Sequence, residues 1–294
     1  MRTLVKLTGL VLVGLALAFV GIQVAASVEE LGRMAATPAT WGAIAVSAAL
    51  YGALSLLLAL AWYIILSGVS PTGRVTFGDS YEVYGRSQIA KYVPGNVFHF
   101  FGRQLLGRDK GWGQGAIAVA SVVETLVLGS SAAALVLLVS FLSPSALLDV
   151  VPPLVLAIGA VLAVAMPTIL LRFGGHWPAL RRLPVIADAQ TLARGPAVLF
   201  TFVIYVVFFL ATSLIFWFLI NAVAGAMPAS TIPSVAAAFV SGWLLGNMTP
   251  SAPGGVGVRE AVMLPQLAAS IGEPQAVVIV IMFRIVTIGG DVLF

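Results

Sequence analysis

Residues 197–223 have the sequence AVLFTFVIYVVFFLATSLIFWFLINAV, and this apolar run decides the fold class. A run of this length is enough to cross a hydrocarbon core roughly 30 Å thick. In lipid, only helices and closed barrels satisfy all of their backbone groups, and the run lacks the apolar–polar alternation that is typical of barrel strands. The run therefore predicts a transmembrane helix.

The composition extends this prediction to the whole chain, because only 9% of the 294 residues are charged against about 25% in a soluble domain. We predict one integral membrane domain over residues 1–294, an all-α bundle of about seven to eight membrane segments. Half-repeats of about residues 1–150 and 151–294 are compatible with this organisation. The run at residues 4–26 ends in small residues, as a signal peptide does, but its length favours a first span. The other predicted spans are residues 41–69, 115–142, 153–171, 235–247 and 274–294.

Lysine and arginine predict the orientation, because cytoplasmic loops carry an excess of both. Two lie at the N-terminus, six lie in residues 70–114 and four follow the fourth span, whereas the intervening connections hold only Arg33. The N-terminus is therefore predicted to be cytoplasmic, in a bacterial cytoplasmic membrane. The same loops explain the net charge of +4, so nucleic acid is not a predicted partner.

Two segments do not fit simple spans: YEVYGRSQIAKYVPGNVFHFFGR at residues 81–103 and GNMTPSAPGGVGVRE at residues 246–260. Each has a Pro–Gly break followed by a renewed apolar stretch with an arginine, and proline cannot continue a helix. The alternative is a surface loop beside an interfacial amphipathic helix, which Tyr81, Tyr84, Ile89 and Tyr92 favour in the first segment. Re-entrant hairpins from opposite faces would instead match an inverted-repeat transporter.

A phosphate site is predicted where the breaks lie. Helices that begin at Asn96 and near Gly255 would direct their positive ends at an anion, and nearby cations add charge-assisted bonds. Within the apolar runs, Glu124 is expected to pair with Arg284 or Arg259 or to carry a proton, with a purely structural ion pair as the alternative. Arg284 and Asp291 are expected to have separate partners. The candidate substrate-binding residues are Lys91, Asn96, His99, Arg103, Glu124, Gly254, Gly255, Arg259, Glu260, Arg284 and Asp291.

Enzyme chemistry has little support in the sequence. There is no cysteine, the two histidines are far apart, and the glycine-rich segment lacks the lysine and the strand–helix context of a nucleotide loop. We predict no catalytic residue, no cofactor and no metal.

Residues 91–103, KYVPGNVFHFFGR, and 253–260, PGGVGVRE, resemble the flippase-like family related to the transmembrane region of lysylphosphatidylglycerol synthase. The resemblance covers nearly the whole chain and implies an eight-helix-like bundle that translocates aminoacyl-phospholipids or polyprenyl-phosphate carriers. Two departures limit it: no aminoacyl-transferase domain follows Phe294, so synthase activity is not expected, and Thr125 follows Glu124 where many relatives carry a basic residue.

The predicted function is that of a lipid flippase or transporter that binds an anionic, phosphate-bearing lipid at a midplane cavity. Membrane lipids are the predicted partners, with a lipid-modifying enzyme as a further one. One alternative is a membrane-embedded transferase on a lipid-linked substrate, for which Glu124, Glu260 and His99 are the candidate groups. The other is a subunit that presents lipid without transporting it.

Overall fold

The computed structural model describes residues 21–22, 25, 27–35, 37–70, 75–93, 97–142, 153–173, 192, 196–249 and 252–294. Over these residues the chain forms ten α-helices and no β-strand, which confirms the predicted all-α class. The helices are α1 (Val28–Ala35), α2 (Pro38–Val69), α3 (Phe77–Gln88), α4 (Phe98–Asp109), α5 (Gln114–Leu142), α6 (Pro153–Phe173), α7 (Ala197–Ala224), α8 (Ile232–Met248), α9 (Val258–Ile271) and α10 (Glu273–Leu293).

Helices α2, α5, α7 and α10 are long and apolar enough to cross a membrane, as is α8 together with the 3-10 turn Ala229–Thr231 that precedes it, and α6 carries a shorter apolar stretch. Their bounds lie within a few residues of the predicted spans. Helix α2 begins earlier than predicted because the Thr37 hydroxyl accepts a hydrogen bond from the Thr40 amide, and Pro38 occupies the first turn. The predicted first span, residues 4–26, lies outside the described residues apart from positions 21, 22 and 25.

Helix α2 is central to the bundle and packs along both α7 and α10. Its crossing with α10 is close, since a Cβ atom on Gly52 would lie 3.0 Å from the carbonyl oxygen of Gly290. Where lipid surrounds the helices, such small residues favour association by allowing van der Waals contact between backbones. Phe216 of α7 and Phe283 of α10 stack at 4.1 Å between ring centroids and join these two helices.

The ends of the helices show how the chain is threaded. Thr37 at the start of α2, Val223 at the end of α7 and Gln275 at the start of α10 line one depression. At the opposite end, Gly68 of α2 lies against Leu192, which precedes α7. Helices α2 and α7 are therefore antiparallel, so α3 begins at one end of the bundle and α8 begins at the other.

Both Pro–Gly segments connect two helices that pack against each other. We name α3 with α4 the first hairpin and α8 with α9 the second hairpin. The short 3-10 turn Ile89–Tyr92 at the tip of the first contacts the turn Pro253–Gly255 at the tip of the second. The tips meet beside Tyr51 and Arg284, which lie near the middles of α2 and α10. Tyr84 of the first hairpin is only 1% exposed, whereas Ile89 and Phe101 are 50% and 65% exposed, so one face of this hairpin packs into the bundle and another face points outward.

A pair of glycines explains why α9 lies so close to α8. A Cβ atom on Gly242 would lie 2.7 Å from Cγ of Met263 and 3.1 Å from the Arg259 carbonyl oxygen. One turn later, a Cβ atom on Gly246 would lie 2.5 Å from Cγ of Arg259. This spacing is the small-residue motif of membrane helix pairs, and it brings Arg259 against the end of α8.

The order of elements is the same in both parts of the chain: a span, a hairpin and a second span. It occurs first as α2, the first hairpin and α5, and again as α7, the second hairpin and α10. The two hairpins begin at opposite ends of the bundle, which is the arrangement that an inverted repeat produces. The half-repeat boundary near residue 150 stays a prediction.

Candidate functional site

A cavity of about 130 Å³ lies where the two hairpin tips meet. The tips contact one another directly, because a Cβ atom on Gly254 would lie 2.7 Å from the Tyr92 ring, and Arg284 Nη2 donates to the Gly254 carbonyl at 2.9 Å. The predicted site residues in the cavity wall are Lys91, His99, Arg103, Glu124, Gly254 and Arg259. The sequence thus identified residues that the fold brings together from three helices, α4, α5 and α9, and from both breaks.

Glu124 is held by the first hairpin. Its carboxylate accepts hydrogen bonds from the Arg103 guanidinium and from the Tyr84 hydroxyl, the latter at 2.7 Å. Both charged side chains are almost fully buried, with 2% of Arg103 and 4% of Glu124 exposed. The prediction that Glu124 pairs with Arg284 or Arg259 is therefore wrong. Helices α4 and α5 are consecutive and pack together, which places Arg103 beside Glu124 and satisfies the carboxylate locally.

Aromatic rings surround the same arginine. The guanidinium carbon of Arg103 lies 4.1 Å from the ring centroid of Tyr84 and 5.3 Å from that of Trp62. Such cation–π contacts strengthen when they are desolvated. Most of the surface of the Arg103 side chain is therefore in contact with other residues of the same chain.

Asp291 connects the last helix to the tip of the first hairpin. Its Oδ2 atom lies 2.8 Å from Lys91 Nζ and accepts a hydrogen bond of 2.5 Å from the Tyr92 hydroxyl. Arg284, two turns earlier on α10, instead faces Glu260 of the second hairpin at 3.7 Å. The prediction that Arg284 and Asp291 have separate partners is confirmed.

Glu260 also occupies the helix end at which an anion was predicted to bind. Helix α9 begins at Val258, and the Glu260 carboxylate accepts a 2.6 Å hydrogen bond from the Gly257 amide. A carboxylate of the protein therefore takes the position that favours negative charge at a helix start. At the other break, α4 begins at Phe98 with Val97 as its N-cap, and the predicted N-cap Asn96 lies outside the described residues.

Arg259 differs from the other cations of the cluster. Within the described part of the chain it forms no ion pair, whereas Lys91, Arg103 and Arg284 each face a carboxylate. Its buried Nε atom has no hydrogen-bond partner there, a feature that it shares with Arg103 and Arg284. Its guanidinium lies 5.8 Å from the Trp243 ring centroid, and its side chain passes between Gly246 and Gly255. Glycine is required at position 255 for two reasons. The Arg259 side chain lies against it, and its φ of 75° is a conformation that side-chain-bearing residues rarely adopt.

The charges of the cluster do not balance. Among the described residues, four cations (Lys91, Arg103, Arg259 and Arg284) lie with three carboxylates (Glu124, Glu260 and Asp291). One positive charge remains, and it belongs to the side chain that lines the cavity without an acidic partner. Such an arrangement can accept an anion.

His99 is a further predicted residue that lies in the cavity wall. Its Nδ1 atom is buried without a hydrogen-bond partner among the described residues, and its ring lies 3.9 Å from that of Phe100. It lines the cavity together with Lys91 and Arg103.

Several residues of the wall were not identified from the sequence, among them Tyr51, Gln88, Trp243 and Asn247. Tyr51, Trp243 and Asn247 lie in the strongly apolar helices α2 and α8, whose composition gives no sign of which face is internal. A signal was present for the approach of α9, because Gly242 and Gly246 have the spacing of a helix-packing motif.

A helical bundle with several spans and a buried, charged cavity between opposed hairpins defines an integral membrane protein with an internal polar site. The chain belongs to the family of the lysylphosphatidylglycerol synthase transmembrane region, whose model matches residues 6–294. No curated protein and no solved structure matches the chain. Membership in this family connects the protein with membrane lipids.

Proposed function

We propose that the protein binds the anionic headgroup of a phosphate-bearing membrane lipid in the cavity between the hairpin tips and moves that lipid across the bilayer. The observation that carries the proposal is Arg259, a cation that lines the cavity without an acidic partner among the described residues. A phosphate group suits it because the planar guanidinium binds phosphate oxygens in pairs.

The energetic argument starts from the cost of leaving this charge uncompensated. On insertion scales, an arginine at the centre of a transmembrane helix costs about 2.5–3.5 kcal/mol. An anion in the cavity would offset part of that cost, whereas a neutral lipid would not. Selection for a negatively charged headgroup follows from the charge balance of the wall.

Transport, rather than binding alone, is supported by the position of the cavity. The hairpins begin at opposite ends of the bundle, and their tips meet near the middles of α2 and α10. A site bounded by one movable element from each side can open to one face at a time, which alternating access requires. The contact that joins the two tips, Tyr92 with Gly254, and the hydrogen bond from Arg284 of α10 to the Gly254 carbonyl would have to separate on one side.

The transferase alternative needs a group that is free to act as a base. Glu124 and Glu260 are both engaged by arginines and by other donors, so His99, with its unpartnered Nδ1, is the group that remains. The lipid-presenting subunit would use the same cavity without opening it to both faces.

The test is a flux measurement in liposomes that contain the purified protein and a labelled anionic lipid confined to one leaflet. Arg259→Ala should slow transport by roughly 10–100-fold, the loss of one or two hydrogen bonds to a charged group. Arg259→Lys should recover part of the rate, because lysine restores the charge without the paired donors.

Arg86→Ala is the matched control. The Arg86 side chain is 67% exposed and pairs with Glu82 one turn away on α3, so its loss should leave the rate unchanged. Equal flux in Arg259→Ala and wild-type protein would contradict the proposal. Chemical conversion of the labelled lipid would support the transferase, and binding without any movement would support the lipid-presenting subunit.

A further inference from the structure

We propose that a groove between α4 and α5 holds the hydrocarbon tail of the lipid whose headgroup lies in the cavity, so that these two helices form the lateral entrance to the site. The inference rests on the proposed function and adds to it the class of ligand and its path.

The groove adjoins the cavity. It has a volume of about 460 Å³, and Phe100 and Thr125 are part of both walls. A molecule with a charged end beside Arg259 and a long apolar part could therefore occupy both spaces at once, passing between these two side chains. The described residues that line the groove are Phe100, Phe101, Gln104, Ala118, Ser121, Val122, Thr125 and Leu126.

The groove is suited to hydrocarbon although its wall includes hydroxyl groups. The Ser121 hydroxyl donates to the Ile117 carbonyl at 2.9 Å, and the Thr125 hydroxyl donates to the Ser121 carbonyl at 2.8 Å. Both donors are thus used within α5 itself and require nothing from a ligand. The rest of the wall is apolar except for Gln104, in clear contrast to the charged cavity beside it.

The outer side of the groove opens to the surroundings of the bundle. Phe101 is 65% exposed and Val122 is 55% exposed, and Val122 lies within the membrane-spanning part of α5. The mouth therefore faces the hydrocarbon of the bilayer. A lipid tail is the occupant that this site favours, because the groove shares Phe100 and Thr125 with the wall of the anion site and opens to lipid on its outer side.

The experiment uses an anionic phospholipid with a photoactivatable group in its acyl chain, added to the protein in liposomes of neutral lipid. Adducts mapped by mass spectrometry should appear at Phe101 and Val122. Excess unlabelled anionic lipid should lower this labelling by about tenfold, whereas excess neutral lipid should not. In Arg259→Ala the labelling should fall by a similar factor, the effect of one charge-assisted hydrogen bond.

Val161 of α6 serves as the internal control, because it is 67% exposed outside the groove and should be labelled equally in every sample. If groove labelling is as insensitive to competitor and to Arg259→Ala as labelling at Val161, the groove holds only bulk lipid and the inference is overturned.

Two variants separate this inference from the proposed function. Val122→Trp should fill the groove and slow transport of a long-chain lipid by about tenfold or more, while binding of soluble glycerol phosphate stays unchanged. Val161→Trp should affect neither. Normal long-chain transport in Val122→Trp would refute the groove alone, and normal transport in Arg259→Ala would refute the headgroup site. Binding of glycerol phosphate without any groove labelling would indicate a soluble anion as the ligand and also overturn the inference.

Discussion

Removal of the Glu124 charge tests how the first hairpin is fixed inside the bundle. Glu124→Gln keeps the size of the side chain and an oxygen that accepts the Tyr84 hydrogen bond, but it leaves Arg103 without an anion. Both side chains are nearly inaccessible to solvent, so bulk water has little access to the unpaired guanidinium. We expect the variant to be much less stable than the wild-type protein.

The size of the effect follows from this burial. Breaking a buried ion pair by removing one partner costs about 3–5 kcal/mol, because a buried charge is left uncompensated. For 294 residues, an unfolding entropy of about 2.1 cal/mol/K per residue corresponds to about 1.6 °C per kcal/mol, so the midpoint of thermal unfolding should fall by roughly 5–8 °C. Replacing both partners, with Arg103→Met added to Glu124→Gln, removes the unpaired charge and should restore much of the loss.

The assay is thermal unfolding of the purified variants in one detergent, with Glu82→Gln as control. Glu82 pairs with Lys110 at 2.6 Å on the exposed end of the first hairpin, so its loss should change the midpoint little. The reasoning is refuted if Glu124→Gln has the same unfolding midpoint as the wild-type protein, or if the double variant is no more stable than Glu124→Gln alone. A stable double variant that no longer transports lipid would instead assign Glu124 a part in transport, such as the predicted proton coupling.

Three further predictions concern the hairpins. Gly242→Ala should destabilise the protein, since the new Cβ atom would lie 2.7 Å from Met263. The control Gly42→Ala, at a position in open space on α2, should stabilise the protein slightly. Equal effects of the two variants in thermal unfolding would argue against close packing of α8 and α9. Because the chain has no native cysteine, Asn247→Cys, which lines the cavity, should react with a small thiol reagent. The control Phe209→Cys, in the packed core, should not react. Equal reaction rates of the two variants would contradict a wet cavity. Hydrogen bonds from Lys110 lower the pKa of Asp79 and of Glu82. The stabilisation that these bonds give is therefore present above the usual carboxyl pKa near 4 and is lost as the pH falls through the lowered pKa values. Lys110→Ala should remove this pH dependence of the unfolding midpoint, and an unchanged pH profile in the variant would contradict the prediction.

The helices and their breaks were predictable because the bilayer leaves few choices. Long apolar runs must form helices in lipid, and proline within Pro–Gly segments interrupts them, so the bounds of α5, α7 and α10 followed from composition alone. The sequence also predicted that the two breaks approach from opposite ends of the bundle, since this depends only on the number of membrane crossings between them.

The ion pairs were not predictable in the same way. Whether Glu124 meets Arg103 or Arg284 depends on which helix faces it, and the strongly apolar α5 gives no periodic signal for its orientation. The anion site was likewise only partly foreseen. Arg259 lies beside the break as expected, but the free helix end predicted there is capped by Glu260, because that residue falls in the first turn of α9.

The most direct test of the account is an experimental structure of the protein in bilayer discs that contain an anionic phospholipid, determined beside that of Arg259→Ala. The account predicts a headgroup between the hairpin tips, with phosphate oxygens within hydrogen-bonding distance of the Arg259 guanidinium, and no headgroup there in the variant. A cavity that is equally empty, or equally occupied, in the two proteins would contradict it.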